Sequence, residues 1–228
     1  MTAPGKATVL LADDHVVMRQ SLSRLLESEG HYLVIGQAKN GREAVELADS
    51  LNPDVILMDI AMPVLNGLEA TRQIIAGNPV AKVLVLSAHS DNVYVERMTA
   101  AGAVGFLEKQ TSAAILIHAI SEVANGRPFF SPTIAKRMAA VSSQARQRHG
   151  LPNARGGRLT PREAEVLQLV AEGNSNKQVA DTLGISMKTV EKYRQHLMQK
   201  LNISGTAGLT RYAMVHGIIE SSVHVTII

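Results

Sequence analysis

The chain of 228 residues has no cysteine and no tryptophan, and aromatic residues make up only 3% of it. Without cysteine there is no disulfide framework, no thiol nucleophile and no thiolate ligand for a metal. Long apolar runs are missing too. Ala7–Ala12 is too brief for a signal peptide and runs straight into Asp13 and Asp14. No stretch approaches the roughly 18 apolar residues of a membrane span. These absences predict a soluble, cytoplasmic protein without a membrane partner. What is present is 46% hydrophobic residues, enough for a proper core, and enough length for two ordinary domains.

Charge is divided unevenly along the chain. Residues 1–126 hold 9 Lys+Arg against 14 Asp+Glu, a balance of −5, whereas residues 127–228 hold 14 against 6, a balance of +8. An acidic half joined to a basic half predicts two jobs, with the basic half meeting a polyanion.

The first half alternates short Val-, Leu- and Ile-rich runs with amphipathic stretches. Strands are predicted at Thr8–Ala12, Tyr32–Ala38, Val55–Asp59, Lys82–Ala88 and Val104–Glu108. Their nearly continuous hydrophobicity is that of strands buried on both faces. Between them, Met18, Leu22, Leu25 and Leu26 share one helical face, as do Ala44, Leu47, Ala48 and Leu51. Ile74, Val95, Met98, Ile120 and Val123 mark the later helices. Five strand–helix repeats predict an α/β fold with a parallel sheet covered on both sides. The alternation stops near Gly126. Residues 127–157 then read as a partly helical linker: Ser131-Pro132 suits a helix start, and Gly150–Arg158 is rich in Gly, Pro and Arg.

In an open parallel sheet, ligands bind at the carboxyl ends of the strands. Asp13 and Asp14 follow the first predicted strand, Asp59 ends the third, Ser87 lies at the end of the fourth and Lys109 follows the fifth. Three carboxylates brought together repel one another, and a divalent cation relieves this; oxygen-only ligation favours Mg²⁺. Cation, carboxylate, lysine and hydroxyl together are equipment for phosphoryl transfer, with Asp59 as nucleophile forming an acyl phosphate. The cation and Lys109 would neutralise charge on the transferring group, and Ser87 would hydrogen-bond its oxygen.

These residues resemble the receiver domain of bacterial response regulators. The resemblance rests on Leu10-Leu11-Ala12-Asp13-Asp14-His15, on Leu57-Met58-Asp59-Ile60-Ala61-Met62-Pro63 with Asn66-Gly67, on Leu86-Ser87-Ala88, and on Gly105-Phe106-Leu107-Glu108-Lys109. It implies a flavodoxin-like (βα)5 receiver over residues 1–126 with Asp59 as phosphoacceptor. Mg²⁺ would be held by Asp14, Asp59 and the carbonyl of Ala61, with Asp13 assisting through water. Ser87 and Phe106 would form a switch pair, Phe106 turning inward behind Ser87. Two departures stand out: Gln110 follows the lysine where many receivers have proline, and Ala61 is small and apolar at a position tied to phosphoryl lifetime.

The second half opens with Thr160-Pro161-Arg162-Glu163, a capping box with proline at the first helical position. Gly173 stops that helix, Lys177–Leu183 forms a short second one, Gly184 turns, and Ser186 caps a third running to about Leu201. A fourth spans roughly Thr206–His216. On the third helix Val190, Leu197 and Leu201, with Tyr193 between, form a core stripe; Lys188, Glu191, Lys192, Gln195 and Gln199 form the opposite one. Short helix, glycine turn and polar-faced helix make a helix-turn-helix, whose second helix enters the major groove.

This half resembles the four-helix DNA-binding domain of the NarL/FixJ (LuxR-type) regulators, on Leu159-Thr160-Pro161-Arg162-Glu163, Ala171-Glu172-Gly173, Leu183-Gly184-Ile185-Ser186, Lys188-Thr189-Val190-Glu191 and Lys200-Leu201. The resemblance implies an all-α domain over residues 158–220, followed by a tail, 221–228. It implies base contacts from Glu191, Lys192 and Gln195, and phosphate contacts from Lys177, Lys188, Thr189, Arg194 and Lys200. The fourth helix, around Leu209 and Tyr212, would pair two subunits on a two-fold operator.

Together these readings predict a transcription regulator, not an enzyme beyond catalysing its own phosphorylation and dephosphorylation. Its partners would be a sensor histidine kinase, a DNA operator, a second copy of itself and RNA polymerase. The alternative is a DNA-binding regulator controlled by dimerisation without phosphorylation. An aspartyl-phosphate hydrolase would need a second acid two residues after the nucleophile, where Ala61 stands.

Overall fold

The computed structural model describes residues 5–88, 92–131, 134–135 and 159–219. The chain divides into two compact units, Met1–Leu151 and Pro152–Ile228.

In the first unit, strands β1 (Ala7–Ala12), β2 (Tyr32–Ala38), β3 (Val55–Asp59), β4 (Val83–Ser87) and β5 (Gly105–Glu108) alternate with helices α1 (Val16–Ser28), α2 (Gly41–Leu51), α3 (Gly67–Gly77), α4 (Asn92–Ala100) and α5 (Ala113–Ala124). A sixth strand, β6 (Phe129–Phe130), follows α5. All pairings are parallel, in the order β2-β1-β3-β4-β5-β6. The expected strands are all present, within a residue or two of their predicted ends.

Alternation along the strands sends successive side chains to opposite faces. Leu10, Ile56, Met58, Val85 and Phe106 join Ala44, Ala48, Ile74, Val95 and Met98 in one core. On the other face Val9, Leu11, Leu57, Leu84, Leu86 and Leu107 join Leu22, Leu26, Leu116, Ile120 and Val123. Every residue of β3 and of β4 is buried. That is why these strands read as unbroken apolar runs. At the sheet edge, β2 is only partly covered.

Strand β6 falls where only linker was expected. It extends the sheet beyond Gly126: Phe106 pairs with Phe130, and Ile134, fully buried, joins the core that holds Phe106. The helix expected to start at Ser131-Pro132 is described only at Ile134 and Ala135; the linker from residue 136 on, with its Gly150–Arg158 segment, and the tail from 221 lie outside the described residues.

The second unit contains α6 (Pro161–Ala171), α7 (Asn176–Leu183), α8 (Met187–Leu201) and α9 (Gly205–Val215). Both halves of the Thr160–Glu163 capping box are formed. A second box, Ser175 with Gln178, starts α7. Gly184, left-handed at φ 64°, ends α7, and Ser186 accepts from the Thr189 N–H to start α8. Val190 and Leu197 are fully buried, whereas Leu201 and Tyr193 are only partly so. Among the described residues, no helix is long and apolar enough to cross a membrane.

Candidate functional site: an acidic rim and a polar helix face

The strand order reverses between β1 and β3, so their carboxyl ends flank the crevice where open α/β sheets bind ligands. Asp13 follows β1 and Asp59 is the last residue of β3; each is only 3% exposed. Ser87 ends β4 and is equally buried. Ser87 pairs in register with Glu108, which sets Lys109 at the same rim, and the Lys109 N–H donates to the Ser87 carbonyl at 2.7 Å.

Lys109 joins the carboxylates. Its Nζ lies 2.8 Å from Asp13 Oδ2 and 2.8 Å from Asp59 Oδ2. Asp59 Oδ1 accepts from the Ile60 N–H at 2.8 Å. Burial, helped by the Asp13 charge, raises the Asp59 carboxyl to a pKa of about 6, while Lys109 and the Ile60 N–H oppose the rise. For Lys109, burial pulls downward, but the Asp13 and Asp59 hydrogen bonds outweigh it and its pKa ends up raised. Trapped carboxylates whose charge a single lysine does not balance are what a divalent cation relieves.

Asp13, Asp14, His15 and Asp59 each offer one ligand atom, all within 4.8 Å of one another. This donor set fits a divalent cation. Ala61 sits two residues beyond Asp59 in the loop leading to α3. That loop is held tightly: the Gly67 N–H donates to the Ile60 carbonyl at 2.9 Å, and a Cβ at Gly67 would stand 1.9 Å from the Asp59 carbonyl oxygen. Only glycine allows this approach. Asn66 caps α3 by accepting from the Glu69 N–H.

The structure thus brings Asp13, Asp14, Asp59, Ser87 and Lys109 to one rim. Phe106 points into the core and is 1% exposed. Two further residues, outside the expected site set, hold the rim in place. The Arg19 Nη1 donates to the Asp13 carbonyl at 2.5 Å, anchoring the loop after β1. His15 Nδ1 sits 2.7 Å from Asp14 Oδ1. The only sequence signal for His15 was its adjacency to the acidic pair, and Arg19 had none.

In the second unit, Lys177, Lys188, Glu191, Lys192, Gln195 and Gln199 are exposed. Arg194 and Lys200 are engaged within the unit. Arg194 donates to Asn176 Oδ1 and Thr206 Oγ1, tying α8 to α7 and to the start of α9. Lys200 Nζ lies 2.6 Å from Glu163 Oε2, and His196 Nδ1 lies 3.0 Å from Glu163 Oε1. Burial pushes the Glu163 carboxyl up, but Lys200 and the Thr160 N–H override it and its pKa ends up lowered. Thr189 Oγ1 is 2.8 Å from Ser186 Oγ.

One expected subunit contact needs correction. Leu209 is fully buried in its own unit, where α9 packs on α6, so it is not a surface residue. Tyr212 stacks on His216 at 3.8 Å between ring centroids, and Met214 and Val215 are the exposed large apolar residues of α9.

Comparison with known proteins agrees with this architecture. Residues 9–121 match the family described as response regulator receiver domain, and residues 158–213 match bacterial regulatory proteins, luxR family. The transcriptional regulatory protein DegU of Brevibacillus brevis is 38% identical, over 88% of this chain and 89% of its own length. The transcriptional regulatory protein MctR of Rhizobium johnstonii is 37% identical, over 96% of this chain and 99% of its own. Among solved structures, a LuxR-family two-component response regulator from Aurantimonas sp. SI85-9A1 superposes with a TM-score of 0.58 at 32% identity, covering 61% of this chain and 99% of that one. The Salmonella typhimurium RcsB response regulator, at 22% identity and a TM-score of 0.56 over 93% of this chain and 100% of that one, shares the fold. The chain belongs to the two-component response regulators of the NarL/FixJ type, which join a receiver domain to a LuxR-type helix-turn-helix DNA-binding domain.

Proposed function

We propose that Asp59 is the phosphoacceptor and that its phosphorylation by a sensor histidine kinase controls DNA binding by α8. The observation that carries this reading is Lys109 Nζ standing 2.8 Å from both Asp13 Oδ2 and Asp59 Oδ2 at the carboxyl edge of the sheet. An Asp59 oxygen attacks the phosphorus of a phosphohistidine, or of a small acyl phosphate. The bond from phosphorus to the donor breaks, and the imidazole or carboxylate leaves with its electron pair. Lys109 neutralises charge on the transferring group, and Ser87 donates a hydrogen bond to one of its oxygens.

A Mg²⁺ ion held by Asp14, Asp59 and the Ala61 carbonyl, with Asp13 through water, would supply further charge neutralisation. The added phosphoryl charge then biases a pre-existing equilibrium. Ser87 and Phe106 are the residues through which this bias reaches the sheet edge.

On the DNA side, Glu191, Lys192 and Gln195 read base edges, and Lys177, Lys188 and Thr189 position the backbone. Arg194 and Lys200 act by holding α8 in place. Two copies bind a two-fold operator, pairing through the α9 face that carries Tyr212 and Val215. RNA polymerase is the further partner of an activating regulator. The receiver spans 1–126 together with β6, the linker runs to 157 and the DNA-binding domain covers 158–220. The compartment is the cytoplasm.

The test is incubation of wild-type protein and Asp59→Asn with acetyl phosphate and Mg²⁺, followed by intact-mass spectrometry and DNA binding to genomic fragments. One phosphoryl group on wild type alone, with tighter DNA binding, is the expected result. Equal labelling of both proteins would move the phosphoacceptor elsewhere. DNA binding indifferent to labelling would favour the dimerisation-controlled alternative.

A further inference from the structure

Helix α8 presents one unbroken exposed row. Met187, Glu191, Gln195 and Gln199 follow one another at four-residue steps, and all of them are exposed. Side chains at that spacing stand on one side of a helix. Glu191 and Gln195 are the residues proposed above to read base edges. Met187, the first residue of α8, is the N-terminal end of the same row.

The core does not account for Met187. Val190 and Leu197 are fully buried and Tyr193, Met198 and Leu201 are half-buried, whereas Met187 is 53% exposed. The start of the helix is held without its side chain. Ser186 Oγ accepts from the Thr189 N–H at 3.1 Å and lies 2.8 Å from Thr189 Oγ1. Met214 and Val215, the other exposed large apolar residues described in this unit, lie on α9, away from this row in sequence.

A recognition helix sets its N-terminal residues against base edges in the major groove. A thioether carries no charge for a phosphate and is only a weak hydrogen-bond acceptor, so it has little to offer a polar base edge. The groove offers it one apolar partner, the C5 methyl group of thymine. An unbranched, flexible methionine side chain adapts readily to such a contact.

We infer that Met187 is a specificity-determining residue that selects thymine in each half-site through contact of its thioether with the C5 methyl group. This rests on the proposed placing of Glu191 and Gln195 against base edges, and it adds an apolar reader at the N-terminal end of their row.

The experiment uses the full chain treated with acetyl phosphate and Mg²⁺. Genomic fragments bound by wild type are amplified with either dTTP or dUTP; uracil keeps the pairing and the O4 acceptor of thymine but lacks its methyl group. Affinities for both forms of the fragments, and for unrelated DNA, are measured for wild type, Met187→Ala and Gln195→Ala. The ratio of thymine to uracil affinity is internal to each variant, so a change in the fraction of folded protein does not move it. Wild type should prefer the thymine form by about fourfold per half-site, the factor expected for burying one methyl group. Met187→Ala should bind the two forms alike.

A thymine preference that survives intact in Met187→Ala, or wild type that does not distinguish the two forms, overturns the role of Met187. In either case, a Gln195→Ala variant that no longer prefers these fragments over unrelated DNA shows that the reading face itself stands. If neither substitution changes the preference for these fragments or for their thymine form, the row does not read bases and the inference falls with that reading.

Discussion

Phe130 lies directly opposite Phe106 across the parallel β5–β6 pair. The Ser131 N–H donates to the Phe106 carbonyl at 3.4 Å, and Ile134 is fully buried in the core that holds the Phe106 ring. The stretch leaving the receiver is thereby built into the sheet beside the proposed switch residue. Ile134→Ala removes a fully buried side chain and should destabilise the receiver by about 2–4 kcal/mol. It should also alter the DNA-binding response to acetyl phosphate. Denaturant unfolding checks the first effect; a change below about 0.5 kcal/mol would mean that Ile134 leaves this core at no loss.

Asp59 carries a stability prediction whose sign follows from its raised pKa of about 6 against an ordinary value of 3.8. A folded-state pKa above the unfolded one means that the protonated form favours folding. That contribution is full below about pH 3.8 and is lost as pH rises through about 6. In the absence of a cation, ionised Asp59 therefore costs about 2–3 kcal/mol at pH 8. Asp59→Asn should raise the melting temperature in EDTA at pH 8, and the gain should shrink towards pH 4. Mg²⁺ should stabilise wild type and do little for the variant. A variant that melts below wild type at pH 8 in EDTA would contradict this.

The loop after Asp59 holds Val64 at φ 69°, a left-handed conformation that a β-branched residue rarely adopts. Such strain costs of order 1–3 kcal/mol, partly offset because glycine loses more entropy on folding. Val64→Gly should therefore stabilise the receiver by about 1 kcal/mol. Thermal unfolding tests this, and a lowered midpoint would show that the Val64 side chain contributes packing that exceeds the strain.

Much of the fold was legible because its determinants are local or periodic. Strands β3 and β4 are buried on both faces, so the Val55–Asp59 and Val83–Ser87 segments carry the unbroken apolar runs that the sequence displays. The acidic rim followed from topology alone, since a parallel sheet brings Asp13, Asp59 and Lys109 together from distant positions. What escaped was set by tertiary contact. β6 has two residues and no periodicity, and it is a strand only because the β5 edge offers it hydrogen bonds. Leu209 reads the same as a surface or a core residue on a short helix, and packing on α6 decided for the core. Nothing local in the sequence marks the buried Glu163 carboxylate, 37 residues away, as the partner of Lys200.

That difference among the lysines gives a prediction on DNA. Lys177, Lys188 and Lys192 are exposed, whereas Lys200 is ion-paired to Glu163 at 2.6 Å. Each phosphate contact adds about 0.9 to the slope of log affinity against log salt on duplex DNA. Neutralising Lys177 or Lys188 to Gln should therefore weaken binding across all sequences and reduce the slope by about that amount each. Lys200→Gln should leave the slope unchanged. It should instead lower the stability of the DNA-binding domain by about 1–3 kcal/mol, because it strips the buried Glu163 of its strongest partner. The Glu163 pKa is lowered in the folded domain, so this contribution is present above its ordinary value of 4.5 and is lost as pH falls through the folded pKa. The stability difference between wild type and Lys200→Gln should accordingly narrow in acid. A salt slope that drops in Lys200→Gln as much as in Lys188→Gln would place Lys200 on the phosphate backbone and break the assignment.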